Sequence, residues 1–323
     1  MNIYRSGFAS QIQMFVNYRQ ASGSWNELSY GFSLRKFDWF CADTFPPGTP
    51  LIQEMVDAWC NKRDSELNRS RNTRIRSIRA FIEYLQKRDL TNVVAPALLK
   101  GEPKTYIPHA FTHDELVRFF TECDRIQVLT KQPTSMFRKL TCPVFFRLLY
   151  SSGIRTTEAR LIRRDDVDLK HGILDIQKSK GYDQHYAALH KTMIDLLKRY
   201  DSTIEGIQPG RKFFFETTKG DCLSRGWVTQ NFRCLWAKAN GSDSSAVAYE
   251  LRHHYAVTNI NSWTEDSFEF SDKLHYLSKS MGHRWTASTL HYYSIVPRLA
   301  ETIKIQTEDG FNMIVPEVRY EED

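Results

Sequence analysis

The 323-residue chain contains no apolar run approaching the ~20 residues that a membrane helix needs, and its first residues lack the charged-then-apolar order of a secretory signal. Cysteines are few and scattered: Cys41, Cys60, Cys123, Cys142, Cys222 and Cys234 stand singly, without a C-x-x-C pair. That pattern excludes a zinc ribbon or a disulfide scaffold and leaves reduced, mostly buried thiols. His109 and His113 lie four apart, yet the H-E-x-x-H pattern and a third ligand are missing, so no metal site is expected. Internal repeats and low-complexity tracts are absent too. A cytoplasmic, folded protein is the expectation.

With 41% hydrophobic residues the chain can bury a substantial core, and its length suggests about two domains. The net charge of +6 is compatible with a polyanionic partner without demanding one, so its distribution matters more. Residues 62–88 hold nine basic residues against three acids, an excess equal to the whole net charge. The last seventeen residues hold six acids and one arginine, so the end of the chain is not expected to touch phosphate.

Along the first hundred residues, Leu51, Met55 and Trp59 recur at a spacing of four, and Ile75, Ile78, Ile82 and Leu85 alternate three and four. These are amphipathic helices of an all-helical unit. The stretch from Lys100 to Phe111, with Gly101, Pro103 and Pro108, reads as a linker. Thr112 to Glu115 then form a capping-box pattern that starts a second, mostly helical domain. Within it, Ile173–Gln177 and Tyr186–Leu189 flank a polar turn and predict a hairpin.

Four stretches of this second domain offer groups suited to phosphoryl chemistry. In Ser152-Gly153-Ile154-Arg155-Thr156-Thr157-Glu158, Gly153 can end one helix and Thr156 start the next, leaving Arg155 at a helix N-terminus that favours an anion. Lys180 lies in the hairpin turn, with Lys178 as a local rival. The third stretch is Tyr249-Glu250-Leu251-Arg252-His253-His254, and the fourth is Met281-Gly282-His283 with Tyr292 nine residues beyond. Two guanidiniums can grip non-bridging phosphate oxygens with fixed donors that never deprotonate, which removes the need for magnesium. A tyrosine nucleophile stores the bond energy in a covalent intermediate, so rejoining needs no ATP.

In this order the residues resemble the catalytic domain of the tyrosine recombinases, over about residues 110 to 300, whose signature runs G-[apolar]-R-x-x-E, H-x-x-R, G-H and a later Tyr. The segments Leu161–Leu169 and Thr289–Pro297 resemble the connection after the first arginine and the nucleophile helix of mobile-element integrases. The resemblance implies that Arg155 and Arg252 clamp the scissile phosphate, Lys180 protonates the departing 5′ oxygen, His283 bonds a phosphate oxygen, Glu158 supports the site and Tyr292 attacks. Tyr293 is then a packing aromatic. One position departs from the signature: Tyr249 stands where H-x-x-R has histidine, and a phenol of pKa about 10 is a poor base at neutral pH. Tyr249 is either a hydrogen-bond donor in the site or a half-buried aromatic. His253 and His254 are expected to point elsewhere.

The implied fold class is mainly α with a small β-sheet, a two-domain clamp of a helical core-binding domain (1–105) and a tyrosine-recombinase catalytic domain (106–323). The additional N-terminal arm-binding domain of some phage integrases is expected to be missing, and residues Arg298 to Lys304 are expected to form a short helix that docks on a neighbour. The run Arg69 to Arg79 is either a solvated helix face or, as the resemblance implies, a DNA-gripping surface to which Arg71, Arg74, Arg76 and Arg79 contribute. The implied function is a site-specific DNA recombinase or integrase working through a 3′-phosphotyrosyl intermediate, without cofactor, as a homo-tetramer on synapsed double-stranded DNA sites. Alternatives are a catalytically silent DNA-binding protein of the same fold and a type IB topoisomerase-like enzyme.

Overall fold

A computed structural model describes residues 3–102, 108–128, 130, 132–177, 184–242, 246–263 and 270–293. The chain divides into two compact units, Met1–Tyr106 and Ile107–Asp323.

The first unit holds helices α1 (Ala9–Ala21), α2 (Phe32–Thr44), α3 (Gln53–Cys60) and α4 (Asn68–Gln86), with a single π-helical turn at Glu27–Gly31 leading into α2. The apolar positions at helical spacing make its core: Ile75, Ile78, Ile82 and Leu85 on α4 are fully buried, and Met55 and Trp59 on α3 meet them. Leu51 belongs to the same core but precedes the helix, so the spacing of four starts one turn early. Burial of each such side chain stabilises by about 1.5–3 kcal/mol. The chain's start is pinned by the fully buried Asp38 of α2, which accepts from the Arg5 and Ser6 amides at 2.6 and 3.0 Å and from the Ser6 hydroxyl at 2.6 Å.

The second unit starts as the sequence predicts. Thr112 caps α5 (His113–Asp124), accepting from the Glu115 amide, while the Glu115 carboxylate returns to the Thr112 amide at 2.8 Å. Helix α6 (Pro133–Ser152) follows, then α7 (Thr156–Leu161), then strands β1 (Val167–Asp168), β2 (Ile173–Ile176) and β3 (His185–Ala188). The strands form one antiparallel sheet in order β1-β2-β3, with Ile176 opposite His185. Helices α8 (Lys191–Ile207), α9 (Arg225–Asn240), α10 (Glu250–Asn261), α11 (Phe270–Ser280) and α12 (Ala287–Tyr293) complete the described chain. The core is aromatic: Phe119, Phe146, Phe232 and Trp236 interlock at centroid distances of 4.9–5.7 Å. Phe214 and Phe215, from the apolar run after α8, are buried in it. A smaller cluster of Ala256, Ile260, Leu277, Met281 and Tyr292 joins α10, α11 and α12. The architecture is mainly α with one small sheet. Among the described residues no helix is long and apolar enough to cross a membrane.

Candidate active site

The site is built where helices end. Helix α6 stops at Gly153, whose left-handed φ of 64° suits glycine, and an added Cβ there would collide with the Tyr255 ring. Two residues on, Arg155 is extended (φ −69°, ψ 147°) and caps α7. Its amide and its Nη1 both donate to the buried carboxylate of Glu158, at 2.7 and 2.6 Å, which fixes the guanidinium against the helix start. Its Nη2 reaches across 127 residues of sequence to the Gly282 carbonyl at 3.0 Å.

Helix α11 ends in a Schellman turn. The Gly282 amide donates to the Lys279 carbonyl and the His283 amide to that of Ser278, with Gly282 at φ 61°. This turn faces Arg252 of α10, one of the most deeply buried large side chains of the chain. Arg252 Nη1 donates to the Gly153 carbonyl at 2.6 Å, and Nη2 to the Met281 carbonyl at 2.7 Å and to His283 Nε2 at 2.8 Å. Those partners are neutral. Among the described residues the arginine pair with Glu158 carries one positive charge more than negative, a setting that attracts an anion.

Since Arg252 donates to Nε2, the His283 ring proton belongs on Nδ1, which meets Thr289 Oγ1 at 2.7 Å. Burial, followed by the charges of Arg252, Arg155 and His185, pushes the imidazole pKa down to about 3. Tyr292, on α12, stacks parallel to His283 at 6.0 Å and is only 4% exposed. Burial raises its phenol pKa, and Tyr249 adds to the rise, while Arg252 and Arg155 oppose it.

Arg155, Glu158, Arg252, His283 and Tyr292 thus converge, although they span 137 positions of the chain (155 to 292). Tyr249 sits at the rim, 43% exposed, at the start of α10. Lys180 and its rival Lys178 lie outside the described residues, as do the side chain of Tyr293 and the expected helix from Arg298 to Lys304.

Two groups escaped the sequence reading. His253 was expected to point away; instead its ring lies edge-on to Tyr249 at 5.3 Å and to Tyr292 at 5.0 Å. The reason is helical: four residues from Tyr249, it shares that residue's face of α10 rather than following its neighbour His254. His254 turns to Tyr150 and Phe111, where burial lowers its pKa. His185 is the second. It lies buried on β3 with Nε2 3.9 Å from Glu158, in the space that the missing Gly282 side chain leaves open. Its period-two place with Ala187 on the inward face of β3 was the available signal.

The arginine run of the first unit divides. Arg74 points inward, hydrogen-bonded to Glu66 and to the Trp59 and Asn61 carbonyls. That guanidinium holds the Glu66 carboxyl down at about 2. Arg71 donates to the Cys60 and Ala97 carbonyls, and Arg79 donates to the Pro96 carbonyl and pairs with Glu83. Arg76 is exposed. The expectation of four phosphate-gripping arginines is corrected for Arg74, a half-buried strut whose donors are taken up within the unit. In the second unit a groove of about 310 Å³ runs beside Tyr249, lined by Arg160, Arg225, Arg233, Thr157 and Thr229. Among the described residues no group of three or more His, Cys, Asp or Glu side chains is placed to hold a metal ion.

The family model described as "Phage integrase family" matches residues 109–297. The chain is 29% identical over 227 residues to y4rE of Sinorhizobium fredii, named as an integrase/recombinase, covering 69% of this chain and 72% of that one. It is 22% identical to tyrosine recombinase XerD of Lacticaseibacillus casei, covering 78% and 84%. Its fold is similar to that of the XerH site-specific recombinase bound to difH substrate (TM-score 0.60, 17% identity, 86% and 79% covered). It is similar also to that of lambda integrase bound to a core site (TM-score 0.60, 14% identity, 88% and 94% covered). The chain belongs to the phage integrase family and is a tyrosine site-specific recombinase.

Proposed function

We propose that Tyr292 is the nucleophile and that Arg155 and Arg252 grip the phosphodiester it attacks. The observation that carries this reading is the approach of Arg252 and His283 to the buried Tyr292 of α12. As the phenol oxygen bonds to phosphorus, negative charge grows on the non-bridging oxygens, and the guanidiniums hold their charge in fixed positions. Glu158 keeps Arg155 oriented and His283 helps orient Arg252, so little rearrangement is left for the moment of reaction. The departing 5′ oxygen takes its proton from Lys180. The strand is left as a 3′-phosphotyrosyl adduct, and a 5′ hydroxyl reverses the step to rejoin it.

The substrate is double-stranded DNA carrying recombination sites, with the groove lined by Arg225 and Arg233 following the backbone from the scissile phosphate. A related fold supports an assembly of four: lambda integrase has been captured as a tetramer on a Holliday junction (TM-score 0.59, 14% identity). Integration or excision of a mobile element is the job we assign, in line with the naming of y4rE. The residues 1–105 and 106–323 would act as core-binding and catalytic domains. Covalent trapping tests the reading: the protein in EDTA is given nicked duplexes tiling the DNA that flanks its gene. A slow protein–DNA band on a denaturing gel supports it; tight binding without any band would move the protein to the silent class.

A further inference from the structure

The family signature leaves this chain without its first histidine, since Tyr249 stands in that place. A buried phenol needs a proton acceptor more than an exposed one does, because burial penalises the phenolate. The structure narrows the field of acceptors. A guanidinium offers donors only, so neither Arg155 nor Arg252 can accept the proton. Among the described residues, two imidazoles touch the Tyr292 ring, those of His283 and His253. The first has its Nε2 lone pair engaged by Arg252 and its Nδ1 proton against Thr289, so neither nitrogen is open to the phenol. His254 is turned into the aromatic core.

We infer that His253 is the proton acceptor for Tyr292, taking over from the next helical turn the task of the missing histidine; the inference rests on Tyr292 being the nucleophile. The step balances. As the Tyr292 oxygen bonds to phosphorus, its proton passes to neutral His253, and the bond from phosphorus to the 5′ oxygen breaks; that oxygen keeps the bonding pair and is protonated by Lys180. On rejoining, the His253 imidazolium returns the proton to the leaving phenolate. Tyr249, whose ring packs against His253 at 5.3 Å and a steep angle, helps to fix the ring plane. Arg252, one position earlier on the helix, supplies the charge that favours a phenolate.

The experiment is single-turnover cleavage of a nicked duplex by the full chain carrying His253→Ala or His253→Gln, with binding followed by gel shift. Loss of a general base costs about 10²- to 10⁴-fold. Both variants are expected to slow cleavage by at least about 10²-fold with DNA binding retained. Added imidazole is expected to restore the alanine variant, a rescue that a packing defect would not show. A duplex with sulfur in place of the 5′ bridging oxygen, a leaving group that needs no protonation, is expected to rescue neither variant. Cleavage by His253→Gln near the wild-type rate, lack of rescue by imidazole, or full rescue by the sulfur substrate would each overturn the inference. If the unaltered protein forms no adduct, Tyr292 as nucleophile falls first and His253 with it; an adduct in the wild type with an indifferent His253 overturns this step alone.

Discussion

His283 Nε2 accepts from Arg252 Nη2 at 2.8 Å, so this histidine works as an orienting acceptor and not as a titrating group. With its folded pKa pushed down to about 3, it stays neutral while an unfolded chain would protonate it near its ordinary value of about 6.5. The stabilisation is fully present above about pH 6.5 and is lost as pH falls from there towards 3, because the unfolded state binds the extra proton. Thermal melts of the wild type and of His283→Gln are expected to diverge at pH 7 and draw together by pH 4. Parallel melting curves across that range would contradict it.

Tyr292→Phe removes the attacking oxygen and leaves a ring of the same shape in the cluster with Ile260, Leu277 and Met281. The covalent band is expected to vanish while gel-shift affinity stays within about threefold. An adduct formed by this variant would mean that another side chain attacks.

Glu158→Gln keeps the packing but removes the charge that fixes Arg155 through amide and guanidinium together. Single-turnover cleavage is expected to fall about 10²- to 10³-fold, the scale on which one transition-state donor is lost. Binding should change little, and an unaffected rate would show that Arg155 is held without it.

Arg74 and Arg76 lie two apart on α4 and should behave oppositely. Arg74→Ala leaves the Glu66 carboxylate and two carbonyls without their donor, and is expected to cost about 1–3 kcal/mol in denaturant melts. Part of that loss is specific to pH: Glu66, held near 2, gives stability above its ordinary value that fades as pH falls towards 2. Arg76→Ala is expected to leave stability alone and to reduce the slope of log affinity against log salt by about one. An unchanged slope would return this helix to ordinary solvated surface.

Local order could be read in the sequence where it was written locally. The Thr112–Glu115 capping box, the stop at Gly153 and the apolar spacing of α4 follow from backbone geometry and helical period. The core site residues could be named because they sit in a recognisable order. What could not be read was which side of a helix meets what. Arg74 looked like its neighbours because Glu66, its partner, lies before the helix begins. His253 shares its helix face with Tyr249, but that this face meets Tyr292 depends on α12, about forty residues away.

The turn that ends α11 gives Arg155 one carbonyl and Arg252 the next, and adds the imidazole that follows. Both guanidiniums therefore share one short stretch of backbone as a contact. A change in that stretch disturbs one contact of each guanidinium at once, while Glu158 and the Gly153 carbonyl keep their hold on the other sides. Substitutions in this turn and at either arginine should then combine less than additively, since each removes contacts that the other would also remove.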